Sequence, residues 1–531
     1  MTHRANRPGE RLLKSAAIIA ALFLCASSVS AQETVELRAT DGTLSLQGRV
    51  LGYDGRYLRL ETAQGEITLD YAKVSCIGAT CPDPDAFVDL LRFSGTGRLG
   101  GLILPAMVEG YARAHGLIAT RVEETLSTFR YDLTDSDGTA IARLSFRLTT
   151  TEDGFADLFA HEADVVMAAR EISPAEAEVA RDAGMGQLNA PARVRILAFD
   201  ALVPLVSPAN PIDEIALEDL ARAYAGEVTN WQALGGPDQP IELHLGNPNT
   251  GLAQGFVQNV LEATGRELSA DVVQHPGDQA VVAAVLAAPN ALGITSFETI
   301  GNADALPLSG PCGLRTRAGL TEVRTGDYPL TMPLFLYLPV RRLGPVAQDF
   351  IDWLNTADAQ LILKRIGVPG QNAVPIPISE QGDRLAAAIG AAGDEVGLAA
   401  LQRMIDAMEG HDRLTPTFRF GAGQSGLDPA SRAHVRSVAQ AIRDGQYAGQ
   451  DLLLLGFSDG RGPASTNQRL SAARAETVRS AIVSVLGGTL PEGLTLRTVA
   501  LGEALPMGCD DTVWGRQMNR RVELWAPSAP F

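Results

Sequence analysis

"TNQRLSAARAETVRSAIV", residues Thr466–Val483, reads as a single helix. Wound at about 100° per residue, it gathers Leu470, Ala473, Ala475, Val478, Ala481 and Ile482 on one arc. Arg474 falls near the middle of that arc. A guanidinium keeps its proton inside a protein, so burying it without a partner is unfavourable. On helix geometry alone, an internal ion pair or a side chain reaching out over apolar neighbours accounts for it.

The elements around this helix widen the reading. "RLTPTFRF" is a strand, and "LDPASRAHVRSVAQAIRDG" is a helix with Asp428 as N-cap and Pro429 at its first position. "GQDLLLLGFSDG" is a strand and turn, while "LTLRTVAL" and "NRRVELW" supply later strands. Residues 413–531 thus alternate strand and helix, and 376–412 read as a helical linker ahead of them. The segments "GFSDGRG", "NQRLSAARAETVRSAI" and "NRRVEL" resemble the OmpA-like peptidoglycan-binding domain. That resemblance implies an α+β fold in which Asp459 and Arg474 hold the diaminopimelate of the peptide stem. Asn467 belongs to the same motif, and Phe457 stands where the family has histidine. The chemistry fits a zwitterion, whose carboxylate suits a guanidinium and whose ammonium suits a carboxylate.

Gly456-Phe457-Ser458-Asp459-Gly460 also matches the G-x-S-x-G pattern of a nucleophile elbow. That class needs a histidine after the serine in chain order, and none follows His434. The elbow also leads at once into a helix, whereas "RGPAST" intervenes. Ser458 is not read as a nucleophile, and no catalytic residue is expected.

From Ala86 the chain alternates strands and helices in the manner of an α/β fold. "AFVDLLRF" leads into "SGTGRLGG", and "LILPAMVEGYARAHG" follows as a helix. Gly95, Gly97 and Gly100 spell G-x-G-x-x-G, whose general content is bare N–H groups presented to an anion near a helix start. A plain tight turn is the bland reading. Four separated motifs then point one way. "VSPANPIDEIALEDLARAYAGEVTNWQALGG" (206–236), "ADVVMAAREI" (163–172), "VRTGDYPLTMPLFLYLP" (323–339) and "FIDWLNTADAQLILKRIGVPG" resemble periplasmic phosphate-binding proteins, in the right order. The resemblance spans 86–375 and implies two α/β lobes joined by crossing strands, with a ligand in the cleft and an ABC permease as partner. It places Ser94, Gly95 and Thr96 in a first anion loop, and His244 and Thr250 in a third. The second loop offers only Ala168 and Ala169, and Pro248-Asn249 precede Thr250 where glycine and serine are usual. A ligand-free cleft that serves as an interaction scaffold is therefore the competing reading.

Residues 34–75 alternate short β-rich runs with Asp41-Gly42, Asp54-Gly55 and Gln64-Gly65 turns, a small β module within 32–85. Ahead of it, "MTHRANRPGERLLK" and "SAAIIAALFLCASSVSA" have the basic, apolar and small-residue regions of a secretory signal over 1–31. The apolar run is shorter than the roughly 20 residues of a spanning helix. Cutting before Cys25 would need a small residue where Leu24 stands.

The remaining ~500 residues suffice for about three domains. With a net charge of −18 and no basic stripe, nucleic acid is excluded as a partner. The 7 histidines form no metal motif, so neither metal nor cofactor is expected. In an oxidising compartment Cys76 and Cys81 suit a local disulfide. Cys312 and Cys509 would pair across the domain boundary, unless both are buried free thiols. The expectation is a periplasmic solute-binding protein for phosphate or a related oxyanion, anchored to peptidoglycan in a Gram-negative outer envelope.

Overall fold

The computed structural model describes residues 34–393, 396–420 and 426–528, so the signal segment expected at 1–31 lies outside the described residues. The chain divides into two compact units, Met1–Asp89 and Leu90–Phe531.

In the first unit the alternating runs form a five-stranded antiparallel sheet. Its order is Gly65–Asp70, Tyr57–Thr62, Ser45–Tyr53, Val35–Ala39, Val74–Ile77. Asp54 sets one turn by accepting from the backbone N–H groups of Arg56 at 3.0 Å and Tyr57 at 2.6 Å. Val35, Leu37, Leu58 and Leu60 make its core, and Cys76 is bonded to Cys81.

The second unit opens with two α/β lobes that share one sheet. Val194–Val206, "VRILAFDALVPLV", is almost wholly apolar and buried along its length, as a strand covered on both faces must be. Its first half pairs antiparallel with Thr331–Tyr337, and its second half with Ala291–Ser296. On one side the sheet continues through Val165–Ala168 and Asp89–Thr96 to the hairpins beyond; on the other it runs through Glu242–Gly246 to Val273–His275. These two crossing strands therefore join the lobes. The closing helix expected in "FIDWLNTADAQLILKRIGVPG" is two helices, Pro345–Trp353 and Ala357–Arg365. Thr356 causes the break by capping the second, its Oγ1 accepting from Ala359 N at 3.4 Å.

The last part of the chain is a sheet ordered Pro375–Ile376, His411–Arg419, Arg521–Pro527, Asp451–Gly456, Thr495–Ala500. Helices Pro429–Arg443 and Ala464–Val485 pack on it, and Asp428 caps the first by accepting from Ser431 N at 2.7 Å. The longer helix buries the predicted apolar arc over its C-terminal turns, through Ala475, Val478 and Ile482, but departs from it in the N-terminal turns, where Leu470 and Ala473 face out and polar residues face in. Asn467, Ser471, Ala475, Val478 and Ile482 are buried, whereas Leu470 is 44% exposed. The polar pair is tolerated because both find partners. Ser471 Oγ donates to Gln468 O at 2.9 Å and accepts from Gly502 N at 3.0 Å.

The lobes and this C-terminal sheet are stapled together. Cys312 is bonded to Cys509, and Trp514 Nε1 donates to Asn259 O at 2.9 Å. Among the described residues no helix is long and apolar enough to cross a membrane.

Candidate functional site

The cleft between the lobes encloses a cavity of 640 Å³ whose polar lining includes Thr96, Arg98, Asp200, Thr250, Asp278 and Ser296. Its first wall depends on Gly95. The strand Asp89–Thr96 lies parallel to Val165–Ala168, and a Cβ at Gly95 would sit 2.0 Å from the Met167 carbonyl oxygen. With φ at +134°, only glycine suits this position.

Arg98 is the cation of the cleft. Its Nε lies 3.0 Å from Asp200 Oδ2 and its Nη2 2.5 Å from Glu298 Oε1. Burial works against its charge, but Asp200 and Glu298 outweigh that and keep the guanidinium firmly protonated. Asp200, the lone acid in its apolar strand, accepts from the N–H groups of Ala201 at 2.8 Å and Phe297 at 3.0 Å. Burial nonetheless raises its pKa. Asp278 is raised for the same reason, though its Oδ2 accepts from Ser296 N at 3.3 Å. Three carboxylates thus surround one guanidinium.

Of the anion residues expected from sequence, Thr96 and Thr250 line this cavity, while Ser94, Gly95 and His244 do not. Ser94 is buried, and its hydroxyl donates to Asp157 Oδ2 at 2.5 Å. His244 turns to His275, Nδ1 to Nε2 at 3.0 Å, and burial with that neighbour lowers its pKa. Thr250 caps the helix Gly251–Phe256, and its hydroxyl donates to Asn247 O at 2.7 Å. Arg98, Asp200, Asp278 and Glu298 were missed. Arg98 stood inside the glycine-rich loop, and Asp200 was the single carboxylate in a buried strand.

The second site lies at the end of the strand Asp451–Gly456. Asp459 Oδ2 is 3.1 Å from Arg520 Nη1, and Oδ1 accepts from Arg461 N at 3.3 Å. Arg474 donates through Nη1 to the Phe457 carbonyl at 3.3 Å and lies over the Phe420 ring, 5.7 Å from its centre. It forms no ion pair with a carboxylate among the described residues. Burial lowers its pKa, Asp459 opposes that shift, and Arg520 adds to it. Asn467 is fully buried, and its Nδ2 donates to Glu503 Oε2 at 2.9 Å and Gly462 O at 3.3 Å. It holds the loop rather than facing outward. Arg520 is the addition here, and "NRRVEL" had already contained it. Ser458 is buried, with its N–H donating to the Gly502 carbonyl at 2.8 Å.

Residues 133–358 match the model of the PBP superfamily domain and residues 419–520 that of the OmpA family. The chain is 26% identical to Protein SphX of Synechococcus elongatus over 199 residues, 35% of this chain and 57% of that one. It is 27% identical to Phosphate-binding protein PstS of Bacillus subtilis over 179 residues, 33% of this chain and 56% of that one. Its C-terminal part is 33% identical to Outer membrane porin F of Pseudomonas fluorescens over 111 residues, 21% of this chain and 32% of the porin. The chain thus spans a little over half the length of the first two relatives and about a third of the porin. This chain joins a PBP superfamily domain, at 133–358, to a C-terminal OmpA family domain, at 419–520.

Proposed function

We propose that the chain is a solute-binding protein of the periplasm, held on peptidoglycan by its C-terminal domain, with phosphate or a related oxyanion in its cleft. The observation that carries the wall half is Arg474, a half-buried guanidinium without a carboxylate, set beside Asp459. A diaminopimelate carboxylate would complete Arg474, and the ammonium on the same carbon would pair with Asp459. Asp459 would then share its charge between that ammonium and Arg520.

In the cleft, the hydroxyl of Thr96, which accepts from Arg98 N, still has its proton to donate, Asp278 is the acceptor, and Thr250 lines the same cavity with its own proton committed to Asn247 O. With Asp200, Asp278 and Glu298 around a single Arg98, a fully ionised anion would meet repulsion. An oxyanion that still carries a proton fits better, because its O–H has a carboxylate to donate to. Phosphate satisfies this at neutral pH and sulfate does not. The similarity to Phosphate-binding protein PstS of Bacillus subtilis supports the same choice. A loaded cleft of this kind implies an ABC permease as the receiving partner. The chain is read as a binder, with no reaction assigned.

A second reading, a wall-attached scaffold with an unused cleft, draws on Ser94 being committed to Asp157 and on the bare Ala169 in the lining. Calorimetric titration of the full chain with phosphate and with sulfate separates the two. Saturable phosphate binding with sulfate weaker by about 100-fold supports the binder, since a buried acceptor without its proton rejects a ligand strongly. Silence from both supports the scaffold.

A further inference from the structure

A second cavity, of 500 Å³, opens at the seam between the two-lobed domain and the C-terminal domain, away from both sites above in its lining. Its walls are the start of the strand Val194–Val206, the helix Ala357–Arg365 and the helix Pro429–Arg443. Four cationic side chains line it: Arg195 and Lys364 from the first domain, Arg436 and Arg443 from the second. Two carboxylates, Asp352 and Asp444, are their only acidic company there. In a chain whose net charge is −18, a pocket with a cationic excess is a local reversal.

Two of those cations meet on one neutral atom. Arg195 Nη1 and Arg436 Nη2 both donate to the Val194 carbonyl oxygen, each at 3.3 Å. Neither forms an ion pair with a carboxylate among the described residues. Asp352 accepts from Gln348 Nε2 at 2.9 Å and Asp444 from Gln440 Nε2 at 2.8 Å; the field of Asp352 still favours the charge of Arg195, whereas Arg436 has only burial and two other arginines acting on it. Like charges held this close repel, and partial burial strengthens the repulsion. The Arg436 guanidinium accordingly falls to about 10, through burial first and then the fields of Arg195 and Arg432. Asn355, Asn372 and Ser437 add side chains that bond to nothing else among the described residues.

An ordinary bracket between domains would pair an arginine with an acid, as Arg413 does with Asp327 at the same seam. Paired guanidiniums with no acid in ion-pair contact are instead the arrangement that recognises an oxyanion, whose oxygens can bridge two planar donors. The cavity is within the size range of small-molecule sites, about 300–1,000 Å³. It is larger than a bare phosphate requires, and its amides and hydroxyl suit a polar body behind the anionic group. We propose that this seam pocket is a second ligand site, which takes a polar metabolite of sugar-phosphate type and clamps its oxyanion between Arg195 and Arg436. A ligand there touches both domains at once, so its binding also tightens their seam.

The test is calorimetric titration of the oxidised full-length chain with glucose 6-phosphate, glucose and inorganic phosphate. The expected result is saturable binding of glucose 6-phosphate and none of glucose. Arg195→Gln and Arg436→Gln each weaken it at least about tenfold. Asp278→Ala, in the cleft, leaves it unchanged, which separates this site from the proposed phosphate site. Thermal melts establish that the variants fold; Lys364→Gln, at a side chain without an ion pair, weakens binding in the same direction should an arginine variant unfold. Absence of saturable binding of glucose 6-phosphate, or binding indifferent to the folded seam variants, overturns the proposal. So does loss of binding in Asp278→Ala alone.

Discussion

Arg413 grips Asp327 with both terminal nitrogens, Nη1 to Oδ2 at 2.5 Å and Nη2 to Oδ1 at 3.1 Å. Asp327 lies just ahead of the crossing strand Thr331–Tyr337, and Arg413 on the strand His411–Arg419 of the C-terminal sheet. Both are buried, at 4% and 2% exposure. Arg419 adds a bond from Nη2 to Oδ1 at 2.9 Å, so one carboxylate anchors two arginines of the other domain. Behind them Glu523 is bound by Arg384 and by Arg521 Nε, the latter at 2.8 Å. The seam between the two-lobed and C-terminal domains is therefore built on an ionic core.

Removing Asp327 should be severe, because it strands buried positive charge. Asp327→Asn is expected to lower stability by about 3–5 kcal/mol, read from urea unfolding of the full chain. A loss under about 1 kcal/mol would contradict the assigned role.

The same carboxylates set an acid limit. Burial alone would raise Asp327, but Arg413, Arg384 and Arg419 outweigh it and hold its pKa far below normal. Glu523 is likewise depressed, burial being overcome by Arg384, Arg413 and Arg521. A depressed folded-state pKa gives stability that is complete above the unfolded value, about 4, and declines as pH falls below it. The urea midpoint of the wild type should therefore fall steeply below about pH 4. In Asp327→Asn the slope should be shallower, and an unchanged slope would count against the pair as its source.

The Cys312–Cys509 bond joins residues 197 apart in sequence across the same seam. Replacing both with serine should cost about 2–5 kcal/mol. Peptide mapping without reductant should recover these two cysteines in one linked fragment and Cys76 with Cys81 in another. Recovery of Cys312 and Cys509 as alkylatable thiols would remove the clamp from the account.

Gly95→Ala places a methyl group against the Met167 carbonyl and forces an unfavourable φ. The expected loss is at least about 1–3 kcal/mol, measured by thermal or urea unfolding. A neutral effect would mean that the two strands do not approach as described.

Local signals in the sequence carried far, and their failures have physical causes. Asp428-Pro429, the apolar crossing strand and the Asp-Gly turns each depend on a few neighbouring residues, so they were legible. The inward face of Ala464–Val485 was legible only over its C-terminal turns, because apolar periodicity cannot foresee a buried Asn467 or Ser471 whose partners, Glu503 and Gly502, lie a strand away. The cleft charges were hidden for a related reason. Arg98, Asp200, Asp278 and Glu298 meet only through the crossing of two lobes, and no spacing along the chain reports that meeting. Ser94 and His244 were readable as residue types but not as directions: each turns to a neighbour, Asp157 or His275, instead of the cavity.

The central claim is that the C-terminal domain holds a solute-binding domain on the wall through Asp459 and Arg474. Co-sedimentation of the full-length protein with purified diaminopimelate-type peptidoglycan tests it most directly. The wild type should sediment with the wall, while Arg474→Ala and Asp459→Ala each remain mostly in the supernatant despite folding normally. Wild-type protein that stays in solution, or folded variants that sediment as well as the wild type, would contradict it.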